Sequence, residues 1–94
     1  MLVELEGKKI TISKAPATVA YDVALKYRGA MEKGDYGILQ DCMYELLRFC
    51  SMDLGDGRSI KLDNKEIINQ HFSDVNTLIT LQKKVVEENF GFLG

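Results

Sequence analysis

Between Tyr36 and Leu54, apolar residues recur at Ile38, Leu39, Cys42, Met43, Leu46, Leu47, Phe49, Cys50 and Leu54. Steps of three and four place them over about half the circumference of a single helix. A face that broad has to be covered by more than one neighbour. The segment is therefore expected to be a central helix, with the rest of the chain arranged around it.

The flanking segments also read as helices. Pro16 suits a first helical turn, and Gly34 suits a terminator, which predicts a helix from about Pro16 to Lys33. Val19, Ala20, Val23, Ala24, Tyr27 and Met31 form its expected core face. A short helix is expected over about Asn64 to Phe72, where His71 projects between Ile67 and Ile68 and reads as a hydrogen-bonded core histidine. A last helix should start at Ser73 or Asp74, run to Asn89 and end at Gly91. Ahead of these, Val3 and Leu5 alternate with Glu4 and Glu6, and Ile10 and Ile12 alternate with Thr11 and Ser13, around Gly7. That pattern fits either a small hairpin or a flexible arm. The expected fold is mainly α: a single-domain bundle of about four helices spanning 15–94, preceded by an extended arm or short hairpin over 1–14.

The stretch DLGDGRSIKLDNKE, Asp53 to Glu66, has the look of a calcium loop but fails its register. With Gly57 in the sixth position, the first and third positions fall on Met52 and Leu54; starting from Asp53 puts glycines in the third and fifth. It reads instead as a connector. Gly55 ends the central helix, Asp56-Gly57 makes a tight turn, Ile60 and Leu62 lie in a short extended piece, and Asp63 with Glu66 forms a capping box. The cysteines, Cys42 and Cys50, fall in the same expected helix, roughly 12 Å apart along its axis, too far to bridge. With apolar neighbours and no C-x-x-C pair, they read as small core residues in a reducing compartment.

The composition narrows the functional classes. Ninety-four residues form one small domain, with twelve Lys and Arg against fourteen Asp and Glu. Such a domain buries only about 60 to 65% of its unfolded surface, so a client or a homo-oligomer partner is expected. A formal charge of −2 leaves no basic footprint for nucleic acid. No apolar run approaches the ~20 residues that span a bilayer, and the opening Met-Leu-Val is followed by Glu4 and Glu6 rather than a leader pattern, so a soluble, unexported chain is expected. The glycines match neither G-x-x-x-x-G-K-[ST] nor G-x-G-x-x-G, and the single His has no partner tied to it in sequence. The reading is no enzyme, no cofactor and no metal.

Seven residues stand out as candidates for partner contact. Tyr21 and Leu25 lie on the otherwise polar side of the first helix, either as isolated surface residues or as a contact patch. Gln82 and Asn89 interrupt the apolar face of the last helix, where an amide either bonds neighbouring backbone or aligns a partner helix. Phe90, Phe92 and Leu93 make an apolar end that either docks on the core or is offered to a client.

The order KKITISKAPATVAYDVALKYRGAMEKGDY, QDCMYELLRFCSMDLG, RSIKLDNKEIINQHFSDVNTLITLQKKVVEENFG covers most of the chain. It resembles the small tail assembly chaperones of long-tailed phages of Gram-positive bacteria, including those of lactococci. The resemblance implies a helical protein that binds the long, hydrophobic tape measure protein before the tail tube polymerises around it. It also implies host cytoplasm, several copies on one client and no cofactor. A small helical adaptor or structural subunit acting as a homodimer is the alternative expectation.

Overall fold

In the computed structural model, which describes residues 1–91, four helices share the chain with a four-stranded antiparallel sheet. The fold is α+β, and the expectation of a mainly helical bundle is corrected. The elements run β1 (Leu2–Leu5), β2 (Lys8–Ile12), α1 (Ala17–Lys33), α2 (Tyr36–Leu47), β3 (Cys50–Gly55), β4 (Arg58–Lys61), α3 (Lys65–His71) and α4 (Val75–Phe90). The strands lie in chain order, with α1 and α2 inserted between the two central ones.

Both hairpins have two-residue loops. Leu5 pairs with Lys8 across Glu6-Gly7, and Gly55 pairs with Arg58 across Asp56-Gly57. All four loop residues have positive φ, between 51° and 76°. This is the type I′ turn, whose twist matches that of the strands, and glycine adopts its second position without steric cost. The first fourteen residues are thus half of the sheet rather than a flexible arm.

The central helix expected to reach Leu54 ends at Leu47. Residues 50–54 satisfy two periods at once: Cys50 and Leu54 extend the helical stripe, while Cys50 and Met52 alternate with Ser51 and Asp53. Pairing of Ile10 with Met52 and Ile12 with Cys50 selects the strand. The two cysteines therefore belong to different elements. Gly55 does not cap a helix; it sits at the irregularity where β3 slips by one residue against β4. Asp53 Oδ1 accepts from the Gly55 N–H at 2.8 Å, so this side chain shapes the hairpin.

The core lies between one face of the sheet and the helices. Ile10, Ile12, Cys50 and Met52 are at most 1% exposed and meet Val23, Leu46, Leu47, Leu81 and Val85. The opposite face, with Glu4, Lys9, Thr11, Asp53, Ser59 and Lys61, faces solvent. α1 packs on α2, and α4 touches both and reaches β2.

Helix ends follow local chemistry. Gly34 has φ 69°, and Gly34 and Asp35 donate back to Met31 and Ala30, closing α1. Asp35, Asn64 and Asp74 cap α2, α3 and α4 by accepting from Ile38, Ile67 and Asn76. The cap of α3 is thus Asn64, one residue beyond the expected Asp63. On α1, Ala30 is buried and Met31 is 58% exposed, so the core face is turned from the one expected at that end.

Candidate functional site

A groove of about 450 Å³ runs between α2 and α4, with Tyr27 of α1 also lining it. Leu39 and Met43, four apart on α2, form one wall; Ile79 and Val86, seven apart on α4, form the other. Met43 is buried, whereas Ile79 is 42% exposed at the lip. Between them Gln82 Nε2 donates to Gln40 Oε1 at 3.2 Å, so an amide pair bridges the two helices. Lys83 and Glu87 add one charge of each sign to the lining. The surface thus combines apolar side chains with central polar groups, as sites for amphipathic helices do.

A second groove, about 740 Å³, lies between the β2–α1 connection, α1 and the end of α4. Asn89 holds this region together: its Oδ1 accepts from the Ala15 N–H at 2.8 Å and its Nδ2 donates to the Val85 carbonyl at 3.0 Å. Asn89 thus takes the backbone-bonding role of the two readings open for it, and Gln82 bonds the side chain of a neighbouring helix.

The sequence-predicted contact residues are not gathered at one site. Gln82 belongs to the α2–α4 groove and Tyr21 lines the second one; Leu25, 54% exposed, lines neither. Phe90 is only 4% exposed, with its ring centroid 5.3 Å from that of Tyr27. A ring committed to the core cannot also cover another chain, so Phe90 is corrected to a packing residue. Phe92 and Leu93 lie outside the described residues. Sequence reasoning missed Leu39, Met43 and Ile79 as groove walls. Their helical spacing was visible, but an apolar face carries no mark of whether a neighbour covers it.

Both thiols are shifted away from reactivity. Burial pushes Cys50 up to about 12, and burial followed by the nearby Glu45 charge raises Cys42. His71 is half-buried, and its carbonyl accepts from Lys8 Nζ, whose ammonium also lies 5.6 Å from the centre of the Phe72 ring. Among the described residues, no three His, Cys, Asp or Glu side chains converge as a metal site would require, and no helix is long and apolar enough to cross a membrane. No protein-family model, curated protein or solved structure matches this chain.

Proposed function

We propose that this chain is a tail assembly chaperone of the kind found in long-tailed phages. In this reading it works by binding, without a cofactor, in the cytoplasm of the infected host. Its client is the tape measure protein, a long helical chain whose apolar stripes aggregate unless covered. The observation that carries the reading is the open α2–α4 groove, where Leu39, Met43, Ile79 and Val86 flank the Gln40–Gln82 pair. An amphipathic client helix would lay its stripe between the walls and meet the amides with its polar flank. Several copies on one long client would turn modest single contacts into durable coverage.

Co-expression with a candidate tape measure protein tests the proposal. The intact chain should raise the client's soluble yield and co-elute with it. Ile79→Glu, at an exposed lip position, should leave the thermal midpoint nearly unchanged while abolishing both effects. A client that stays insoluble with no co-eluting complex would overturn the proposal, as would an Ile79→Glu variant that remains folded and fully protective.

A further inference from the structure

Both edges of the sheet are open. β1 pairs only with β2 and β4 only with β3, so among the described residues no strand lies beyond either. The phase of the ladder determines which backbone groups face outward. Met1 and Ile12 exchange two backbone hydrogen bonds, at 2.9 and 2.7 Å, so by alternation Val3 and Leu5 also bond toward β2. Leu2 and Glu4 therefore turn their N–H and C=O groups away from the sheet. On the other side, Leu62 donates to Cys50 at 3.0 Å, so Ile60 bonds toward β3, and Ser59 and Lys61 turn outward.

The two edges complement each other in direction, charge and burial. In a four-stranded antiparallel meander, β4 runs opposite to β1, so a second copy's β1 can continue the pattern. The β1 edge carries Glu4, and β4 carries Arg58 and Lys61. Setting Glu4 opposite Lys61 joins two outward-facing residues and places opposite charges side by side on the polar face. The same antiparallel register sets Val3 opposite Leu62 and Leu5 opposite Ile60 on the apolar face. Val3, Leu5 and Ile60 are only partly buried, whereas Ile10, Ile12 and Met52 on the inner strands are at most 1% exposed. Edge-to-edge pairing would cover the apolar surface that the end strands leave open. Pairing two β1 edges instead, with the outward groups matched, would set Glu4 opposite another Glu4 or opposite Leu2, losing the charge match.

We propose that copies of this chain associate head to tail through their sheets, β1 of one copy adding antiparallel to β4 of the next, with Glu4 opposite Lys61. This is independent of the client reading, since it uses the sheet edges rather than the helical groove. The strands are four residues each, and short edges give weak contacts, so association rises with concentration. A Lys on an edge usually discourages pairing, but opposite Glu4 it becomes the complement. The contact is heterologous, so the assembly keeps one open β1 edge at one end and one open β4 edge at the other, and further copies can add.

Sedimentation velocity from micromolar to millimolar concentration at low salt reads the outcome. The average mass of the intact chain should rise with concentration, and rise less in high salt. Glu4→Lys and Lys61→Glu should each remain monomeric, with unchanged circular dichroism. Mixed together, they should associate again, because Lys at position 4 then meets Glu at position 61 and the remaining wild-type pair also matches. A chain that stays monomeric to millimolar concentration would overturn the proposal. So would a Lys61→Glu variant that associates as well as the intact chain, which would point to pairing of two β1 edges.

Discussion

Leu46 lies where the sheet and the helices meet and has no exposed surface. Truncating it removes buried methyl groups and leaves a void that surrounding elements cannot fully close. Leu46→Ala should cost about 2 to 5 kcal/mol, measured by urea denaturation, a large share of the stability of a domain this size. Cys50 tests the same core chemically. Its thiol titrates near 9.0 when unfolded and near 12 when folded, because burial opposes the thiolate. A raised pKa contributes stability that is fully present below the unfolded value and lost as pH rises toward the folded one. Denaturation midpoints should therefore fall through alkaline pH, and Cys50→Ala should flatten that part of the profile. At neutral pH, thiol reagents should label Cys50 only after unfolding.

At the scale of elements, the turn of the first hairpin is tied to the α3–α4 junction. Glu6 Oε1 accepts from the Ser73 hydroxyl at 3.0 Å and from the Ser73 N–H at 3.3 Å, while Lys8 Nζ donates to the His71 carbonyl. A hydrogen bond from Thr77 is the largest influence on the Glu6 carboxyl, and with the Ser73 contacts it lowers its pKa below the ordinary 4.5. A depressed carboxylate contributes stability above its unfolded value and loses it as pH falls through the folded one. Glu6→Gln should melt slightly below the intact chain at neutral pH. The difference should vanish in acid, as differential scanning calorimetry across pH would record. A difference that persisted unchanged in acid would mean that the charge of Glu6 contributes nothing.

For the whole molecule, the consequence of the sheet is that the two ends of the chain segment 1–55 fold together. β2 meets β3 across the intervening α1 and α2, and Ile10 and Ile12 are fully buried beneath the helices. Deleting residues 1–14 would strip β3 of one of its two partners, leaving β4 alone beside it, and remove the core side chains of Ile10 and Ile12. The remaining 80 residues, 94 less 14, should lose their cooperative thermal transition and bind hydrophobic dyes. A helical body that stood without its hairpin would instead melt cooperatively with little change in midpoint.

Several features were determined by the sequence alone because their causes are local. Gly34 and Asp74 mark the end of α1 and the start of α4 through the left-handed conformation of one and the capping carboxylate of the other. Asp56-Gly57 marks a tight turn, and the failed calcium register follows from donor positions in a single stretch. The strand at Cys50–Gly55 was decided by tertiary structure. Its residues fit a helix and a strand about equally, and the ladders to β2, some forty residues earlier, and to β4 across the Asp56-Gly57 turn favour the strand. The same holds for the candidate site. Periodicity identified Phe90, Leu39, Met43 and Ile79 as apolar, but which of them a neighbour covers depends on how α4 crosses α1 and α2. That crossing buries Phe90 against Tyr27 and leaves Ile79 at an open lip, because burial is a property of the contact between elements and not of either element alone.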